Sequence, residues 1–528
     1  MTRTGQRLIL VVQVVLLMGG CGEDKTDAPT PGIQGDVASA LDPRESQDVP
    51  ETPGPVDAVG LDPSDVPNDG DSSLTDATDG VTTDSVVSDE EVAVAPPVVV
   101  YVSALEGESG SGTPEDPYRD LQVALNAAPD GAQIQIMPGT FEATASPYAD
   151  PGCGNCDDAS FHNGADATKG FYVEGKSLHL QGSGAGLTIL VTNAGYGLLF
   201  DGAGSSSVRD LSVTGGKRDA DGNATDAGIV VRMTTLVVEQ VSVVANDDLY
   251  TGPLPDPVVG VGGIFGREGS VLTVRNSIIE DNSWDGIALY RGAPDAPETA
   301  PKAIVEGCRI GCNPPCGNGG RGAGIGVTWD AEMIATGNVI HHYWKGIGTF
   351  GESSAELYSN VVRDQLGWGV IATGESNMVA INNVIVRNGT TGLSAWNAGV
   401  TGMFANNVVT ANGTSADEWV GVKAGIWFNA SSGTFALVNN LSWGNDAVDA
   451  CEGGMPNTEP CVPIPFDGVD GNLVLDPLFV DASANDWHLQ ASSPAIDAGV
   501  DWLEDLDGTQ SDMGVYGASL APESIDGP

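Results

Sequence analysis

The chain has 528 residues, of which 72 are acidic and 21 are basic, and its formal net charge is −51. So strong a negative charge repels nucleic acid and anionic lipid headgroups, which argues against both as general partners. The 72 glycines and the aromatic content of only 6% favour a fold with many tight turns and a thin core over a helical bundle.

The first 21 residues have the organisation of an export signal. Arg3 and Arg7 precede an apolar run from Leu8 to Leu17, which is too short to span a bilayer as a permanent helix. Small residues then lead to Cys21, and this ending resembles the cleavage box of bacterial lipoproteins. The resemblance implies that Cys21 is acylated and becomes the N-terminus; the alternative is an ordinary secretory signal that contains a Cys. Gly22 replaces the Asp that retains lipoproteins in the inner membrane, so the resemblance implies the outer membrane or the cell surface.

Residues 22–96 have the composition of a disordered acidic linker. The segment is rich in Asp, Pro, Thr, Ser and Val, contains no aromatic residue, and has Lys25 and Arg44 as its basic residues. Low hydrophobicity combined with charge of one sign cannot bury enough apolar surface to fold. We therefore expect a tether that carries a folded domain over residues 97–517, with residues 518–528 as a C-terminal tail.

Two columns of residues recur along the chain, and the central spacings of the first are 22, 23 and 23 residues. Glycines that precede an aliphatic residue form the first column, at Gly324, Gly346, Gly369 and Gly392. Asparagines that precede an aliphatic residue form the second, at Asn338, Asn360, Asn383, Asn407 and Asn440. A short period held in register predicts the stacked coils of a solenoid. Stacked Asn side chains can share amide hydrogen bonds between coils about 4.8 Å apart.

The apolar pattern predicts what lies inside the coils and what caps them. Ile381 and Ile385 flank one Asn turn, and we expect both to point inward. The positions predicted to be equivalent to Ile385 are Ile278, Ile340, Val362 and Val409, because stacked parallel strands are rich in β-branched residues. Before the first coil, Leu121, Ala124 and Leu125 have the spacing of an amphipathic helix, which would cover the open end of the stack.

With these features the chain resembles the right-handed parallel β-helix proteins of the pectin-lyase-like superfamily over residues 97–517. The motif Tyr101-Val102-Ser103 resembles the start of such domains, and Ser493-Pro494-Ala495-Ile496-Asp497-Ala498-Gly499 resembles their closing segment. The resemblance implies an all-β solenoid with a short N-terminal capping helix. It implies no particular reaction.

Insertions between the Asn column and the Gly column suggest where a ligand binds. They occupy residues 217–227, 247–261, 312–323 and 413–424, and all leave the solenoid at the same turn. Insertions on one side of a solenoid usually mark its binding face. The coils between the last two insertions have none, so we expect them to form the floor of a cleft.

Basic and aromatic residues concentrate on this predicted floor. The candidate binding residues are His341, His342, Trp344, Lys345, Arg363, Asp364, Trp368 and Arg387. Arg binds carboxylates through two hydrogen bonds, and an exposed Trp face suits a sugar ring. The hypothesis is a cleft for an acidic polysaccharide; the alternative is a solvated turn decorated by long polar side chains.

Three functions are compatible with this pattern, and the catalytic residues stay unknown. The first is a monomeric, lipid-anchored protein that binds polysaccharide or cell-surface glycan without catalysis. The second is a polysaccharide lyase or epimerase, for which the resemblance implies a basic residue that removes the proton beside a carboxylate; His342, Lys345 and Arg363 are candidates. The third is a structural or adhesion module. Asp285 is interpreted here as an ordinary turn residue.

One insertion contains alternating acidic and amide side chains, at Asp219, Asp221, Asn223 and Asp226. Oxygen ligands at this spacing suit Ca²⁺, the one cofactor that the sequence suggests, but no Glu closes the loop as in a helix-loop-helix calcium site. The pattern fits either a calcium site or a solvated acidic turn.

The remaining cysteines follow the pattern of an oxidising compartment. We expect local disulfides between Cys153 and Cys156 and between Cys451 and Cys461. Cys308, Cys312 and Cys316 lie close together in sequence, and two of them are expected to pair and leave the third unexplained.

Overall fold

The computed structural model describes residues 97–517 except 106, 108–109, 155, 157–162, 203, 248–259, 313–321, 398, 416–421, 430–434 and 455–460. Cys21, the predicted linker and the tail 518–528 lie outside the described residues. The described chain winds into coils, and each complete coil adds one strand to each of three long sheets, here called A, B and C in the order in which the chain visits them.

Within the described residues, sheet A has 12 strands, sheet B has 11 and sheet C has 13. The strands of sheet A are Val99–Val102, Ala132–Ile136, Leu178–Gln181, Ser205–Arg209, Thr235–Glu239, Val271–Arg275, Lys302–Glu306, Glu332–Thr336, Ser354–Tyr358, Asn377–Ile381, Thr401–Ala405 and Phe435–Val438. The strands of sheet B are Gly139–Glu142, Thr188–Val191, Ser212–Thr214, Ser242–Val244, Ile278–Glu280, Arg309–Gly311, Val339–His341, Val361–Arg363, Val384–Val386, Val408–Thr410 and Leu441–Trp443. The strands of sheet C are Ser146–Asp150, Ala165–Glu174, Tyr196–Asp201, Ala227–Arg232, Gly262–Gly266, Ile287–Leu289, Ala323–Trp329, Lys345–Gly351, Trp368–Ala372, Thr391–Ala395, Ala424–Phe428, Val448–Glu452 and Val462–Pro463.

Neighbouring strands run parallel except at the two ends of sheet C, where Ser146–Asp150 and Val462–Pro463 pair antiparallel. A separate antiparallel hairpin joins Phe479–Asp481 to Asp486–Leu489. Single turns of 3-10 helix occupy Pro297–Thr299 and Ala482–Ala484. These pairings confirm the predicted parallel β-helix, in which each coil returns to the same sheet and adds the next strand to it.

The α-helix Leu121–Ala127 caps the first coil as predicted. Its buried residues are Leu121, Ala124 and Leu125, and the side chain of Asp120 caps its N-terminus by accepting a hydrogen bond from the Val123 N–H. Among the described residues, no helix has the length and apolar content needed to cross a membrane.

The interior of the coils is an apolar stack, and Ile385 lies within it. Ile385 is fully buried and pairs in register with Val362 on one side and Val409 on the other. Two inward predictions were wrong. The position equivalent to Ile385 is Ile279 instead of Ile278, because Ile279 pairs with Ile310 and Ile310 with Ile340. Ile381 faces outward from sheet A and packs against Val500 of the C-terminal segment.

The Asn column forms a continuous hydrogen-bonded ladder at the turn from sheet A to sheet B. Each side-chain amide donates to the side-chain oxygen of the next Asn, with distances of 2.9 Å from Asn338 to Asn360, 3.0 Å from Asn360 to Asn383 and 2.9 Å from Asn383 to Asn407. The ladder continues through Asn440 to Asn472. Every member is buried, so these bonds satisfy polar groups that would otherwise be stranded inside the solenoid.

The C-terminal segment returns along the outside of the solenoid and covers sheet B. Trp487, Ala495, Met513 and Val515 pack on outward-facing valines of sheet B, among them Val384. This cover explains why several strands of sheet B are apolar on both faces.

The disulfides Cys153–Cys156 and Cys451–Cys461 are present as expected. Cys312 is also disulfide-bonded, while Cys308 is a buried free thiol whose pKa burial raises to about 12. Cys316 lies outside the described residues.

Replacing Ile385 by Ala should lower the free energy of unfolding by about 2–5 kcal/mol, the usual cost of truncating a buried Ile. Coils support mainly their neighbours, so hydrogen exchange should rise first in the strands of that coil and the adjacent two. Val379→Ala, at a half-buried outward position of the same coil, is the control. A loss below about 0.5 kcal/mol for Ile385→Ala would contradict the assigned register.

Candidate functional site

The predicted site residues form two columns where the chain leaves sheet B. His341 and Arg363 pair in register at the ends of adjacent strands. His342, Asp364 and Arg387 each follow such a strand in the left-handed conformation, with φ of 59°, 56° and 56°. The predicted stacking of these side chains is therefore present.

The arginines of these columns already hold a protein carboxylate. Arg387 donates to both oxygens of Asp364, at 2.7 and 2.9 Å, and Arg363 donates to the same carboxylate at 2.7 Å. Burial alone would raise the pKa of Asp364, but the bonds from Arg387 and Arg363 outweigh it and lower the pKa. Arg387 also donates to Asn485 at 2.7 Å and lies over the ring of Trp487. Its main role here is to fasten the C-terminal hairpin to the solenoid.

The two histidines belong to a chain of hydrogen bonds that starts at Glu280. The ring of His341 lies against Gly311, where a Cβ would come within 2.1 Å of it, and its Nε2 is 3.3 Å from Glu280. Its Nδ1 is 2.9 Å from Nδ1 of His342. Burial and the neighbouring His341 lower the pKa of His342. The Glu280 carboxylate thus positions the two histidine rings, and Gly311 leaves space for the ring of His341 because it has no side chain.

The tryptophans are not the exposed platform that the sequence suggested. Trp368 is only 4% exposed and meets Trp344 edge to face, with ring centroids 5.7 Å apart. Trp344 is half-buried. Both rings help to build the start of sheet C, and Trp368 stands beside Lys345 in register.

Lys345 occupies the most unusual environment of the predicted residues. It is 2% exposed, at the first position of its strand in sheet C. Among the described residues, no oxygen lies close enough to its Nζ for a hydrogen bond or an ion pair. Burying an ammonium without an acceptor is costly. Lys345 is therefore a cation that the described protein leaves unsatisfied.

The nearest acidic influence on Lys345 is Asp285, two coils away in the same column. Ala323 stands between them, paired with Lys345 and donating its N–H to Oδ1 of Asp285 at 2.5 Å. Burial lowers the pKa of Lys345 to about 8, against the opposing effect of Asp285. Burial likewise raises the pKa of Asp285 to about 7, although the Ala323 N–H and Lys345 act to lower it. Both groups therefore titrate near neutral pH.

Two glycines of sheet C adjoin this pair. Gly326 and Gly348 pair in register at outward positions, because their neighbours Ile325, Val327 and Ile347 belong to the interior cluster. A Cβ at Gly326 would meet no heavy atom closer than 3.8 Å, and Oδ2 of Asp285 would lie 4.0 Å away. Both glycines are buried, and Gly326 has space for a methyl group beside the two ionisable side chains. The predicted walls, residues 312–323 and 413–424, lie largely outside the described residues.

The possible calcium ligands are used differently. Asp219 accepts hydrogen bonds from the N–H and hydroxyl of Thr168 at 2.7 and 2.8 Å, and Asp221 accepts from the Asp166 N–H at 2.8 Å. Asp226 is buried and bonded to Arg218, and burial raises its pKa to about 7.

Asn223 lies against the Cys153–Cys156 disulfide, with its side-chain oxygen 3.4 Å from the Cys156 sulfur. These side chains dock the insertion on the strand Ala165–Glu174, and the described residues contain no group of three or more His, Cys or acidic residues that could hold a metal. Asp219, Asp221 and Asn223 are partly exposed, as in an acidic turn, whereas Asp226 is fully enclosed.

Asp285 and the two glycines were missed by sequence reasoning, yet a signal for Asp285 exists. The residue before each Gly-aliphatic step forms one column, namely Asp285, Ala323, Lys345, Trp368, Thr391 and Ala424. Aligning the chain on that step would have placed an acid and a lysine on the same line with only Ala between them.

Residues 262–442 match the family described as "Right handed beta helix region". The chain is a right-handed parallel β-helix. A search of curated proteins finds no match.

Several solved structures are similar to this chain at low identity. Pectate lyase Pel9A is 15% identical over 81% of this chain and 98% of its own, with a TM-score of 0.42. DFA-IIIase from Arthrobacter chlorophenolicus A6 is 12% identical over 71% of this chain and 92% of its own, with a TM-score of 0.36. The A-module of the mannuronan C-5 epimerase AlgE4 of Azotobacter vinelandii is 16% identical over 71% of this chain and 100% of its own, with a TM-score of 0.29.

Proposed function

We propose that this β-helix binds an acidic polysaccharide on the outward face of sheet C, with Lys345 receiving a uronate carboxylate. The observation that carries the proposal is the buried Lys345 ammonium, which has no hydrogen-bond acceptor among the described residues. A carboxylate placed there would supply the missing acceptor, and charge-assisted hydrogen bonds of this kind are about twice as strong as neutral ones.

The surroundings of Lys345 support binding of a carboxylate. Gly326 and Gly348 carry no side chains next to the ammonium, so a carboxylate that enters beside Lys345 meets no Cβ atom at these two positions. The ion-paired cluster of Arg363, Asp364 and Arg387 contributes structure, and we assign the binding role to Lys345 instead.

The proposal is tested by titrating the exported chain with oligogalacturonate, oligomannuronate and matched neutral oligosaccharides. We expect binding of at least one uronate oligomer and weaker binding as salt increases, because ions screen charges beyond about 8–10 Å. A neutral oligomer should bind less tightly at this site. Absence of binding to every uronate oligomer at low salt would reject the proposal and favour a structural or adhesion role.

A second candidate function is a lyase or epimerase acting on the same glycan. It is favoured by the lowered pKa of Lys345, about 8, since a lysine needs its neutral amine to act as a base. That amine would take the proton beside the uronate carboxylate. In a lyase, the electron pair then forms a carbon–carbon double bond and the neighbouring glycosidic oxygen leaves, whereas an epimerase returns a proton from the other face. Ultraviolet absorbance of unsaturated product distinguishes the lyase from simple binding.

We also propose that the protein is an exported lipoprotein of the outer membrane or cell surface, held by acyl chains on Cys21. The support is the basic, apolar and small-residue order of residues 1–21. Each buried methylene of an acyl chain contributes about 0.8 kcal/mol to membrane attachment.

Cys21→Ser should abolish acylation and shift the protein from the detergent phase to the aqueous phase on detergent partitioning. Because Cys21 lies far in sequence from residues 97–517, glycan binding by the released protein should be unchanged. If the Cys21→Ser protein still partitions into detergent, the lipoprotein proposal is wrong.

A further inference from the structure

A second hollow lies on another part of the solenoid, where the C-terminal segment crosses the turn from sheet A to sheet B. It has a volume of about 400 Å³ and is lined by Asn439 of that turn and by Asp501, Trp502 and Gln510 of the C-terminal segment. Trp502 is 59% exposed, which is high for a large aromatic side chain. A volume of this size lies within the usual range for ligand pockets.

The side chains of Asn439, Asp501 and Gln510 offer acceptor oxygens beside this hollow, and the indole N–H of Trp502 is a donor. Nδ2 of Asn439 donates to the carbonyl oxygens of Ala498 and Gly499, both at 3.0 Å, so its NH₂ end is used inside the protein. Nε2 of Gln510 donates to Gly499 at 2.5 Å. No group of the described residues donates a hydrogen bond to Oδ1 of Asn439 or Oε1 of Gln510, so both oxygens can accept one from a ligand. The exposed carboxylate of Asp501 adds further acceptor oxygens.

An aromatic face beside several acceptors matches the chemistry of a sugar ring. The C–H face of a pyranose packs on an indole, and its hydroxyls donate to amide and carboxylate oxygens. A uronate brings a carboxylate that would meet Asp501 and two amide oxygens, with no described cation lining the hollow to balance it. The negative charge of Asp501, with no described cation in the lining, therefore disfavours anionic sugars, in contrast to the surroundings of Lys345.

We propose that this hollow binds a neutral hexose unit of a glycan, with Trp502 as the stacking platform and Asn439, Asp501 and Gln510 as hydroxyl acceptors. Asn439 holds the C-terminal segment in place through Ala498 and Gly499, so the acceptors and the Trp are presented by a fixed scaffold. The site is independent of Lys345, and the protein would contact neutral and acidic sugar units at separate places.

The test uses the exported chain carrying Cys21→Ser, with cellohexaose, mannohexaose and tetragalacturonate as probes. Trp502→Ala should weaken binding of the neutral oligomer that binds the parent by about tenfold or more, as expected for loss of an aromatic anchor. Trp502→Phe should retain part of the affinity. Trp443→Ala removes another exposed Trp, 39% exposed on sheet B, and should have no effect.

A direct readout in the parent protein does not depend on a variant folding. The indole N–H signal of Trp502, assigned by its loss in Trp502→Phe, should shift in NMR spectra when the neutral oligomer is added and stay unchanged with tetragalacturonate. The proposal is overturned if no neutral oligomer binds the parent, if Trp502→Ala binds as tightly as the parent, or if tetragalacturonate shifts the same signal. Lys345→Met should leave binding of the neutral oligomer intact, so the proposals for the Lys345 site and for the Trp502 site can be rejected independently.

Discussion

Lys345→Met is expected to weaken binding of uronate oligomers by at least about tenfold, because losing a charge-assisted hydrogen bond costs about 1.5–3 kcal/mol. The variant should fold, since it replaces a buried, unpaired ammonium by an apolar side chain of similar length. Circular dichroism and thermal unfolding check the fold, and calorimetric titration measures the affinity.

Two further variants separate the role of Lys345 from general effects of charge. Lys302→Met removes an exposed lysine of sheet A that pairs with Glu332 and should leave binding unchanged. Lys345→Arg keeps a cation that does not lose its proton at neutral pH, so it should retain binding but lose any activity that needs a neutral amine. Equal affinity of Lys345→Met and the parent would contradict the assigned site.

The dependence on pH distinguishes binding from proton abstraction, because the two require opposite protonation states of Lys345. The pKa of Lys345 is about 8, so the ammonium that binds a carboxylate is present below that pH and is lost above it. Uronate affinity should therefore fall as pH rises through about 8. It should also rise as pH falls through about 7, where Asp285 takes up a proton and stops competing with the ligand carboxylate.

If Lys345 acts instead as a base, the rate should increase as pH rises towards about 8, because the neutral amine accumulates. Lys345→Arg should then be inactive at every pH while it still binds the glycan. The interval from pH 6 to pH 9 extends about one unit beyond the two pKa values. A reaction rate that does not change with pH over this interval would exclude Lys345 as the base.

Asn383→Ala is expected to be among the most destabilising single substitutions in the solenoid, costing about 3 kcal/mol or more. The Asn383 oxygen accepts from the N–H and side-chain amide of Asn360, at 2.9 and 3.0 Å. Its amide donates to the Leu357 carbonyl at 3.0 Å and to the side chain of Asn407 at 2.9 Å. Truncation strands these groups in a dry interior, where each unsatisfied one costs about 1–3 kcal/mol.

Asn383→Asp tests whether the loss of stability comes from the missing hydrogen bonds or from the missing side-chain volume. Asp has nearly the same shape but lacks the NH₂ donors, so its oxygen would face the carbonyl of Leu357, and we expect it to be at least as destabilising as Ala. The control is Asn377→Ala at an exposed position of the same coil, which should change stability by less than about 0.5 kcal/mol. Denaturant unfolding with hydrogen exchange as a local probe provides the measurement. If Asn383→Ala costs no more than the control, the ladder does not stabilise the coils.

The Asn ladder shows why much of this fold could be predicted from the sequence. Asn338, Asn360, Asn383 and Asn407 recur once per coil, and a column spaced by one coil brings its members together without any distant information. The same reasoning placed His342, Asp364 and Arg387 in one line. A second ladder runs from Gln365 through Asn388 and Asn412 to Asn445, and it was not predicted because Gln365 departs from the Asn pattern.

The direction of side chains was harder to predict than their stacking. Ile381 and Ile385 were both expected inside, but the turn between them rotates the chain so that Ile381 faces the C-terminal segment. Since sheet B is covered on its outside by residues such as Trp487 and Met513, an apolar residue there is buried on either face. Hydrophobicity therefore could not distinguish inward from outward positions.

The sequence by itself determined the parallel β-helix, its coil period, its helical cap and the turn from which the insertions leave, because these depend on residues one coil apart. Only the tertiary structure decided which predicted residues are already satisfied. Arg387 meets Asn485, nearly 100 residues later, and Lys345 lies beyond Ala323 in the column of Asp285. Whether a charge is neutralised or left unsatisfied depends on such distant partners and on burial. Both arise only when the coils stack and the C-terminal segment folds back over them.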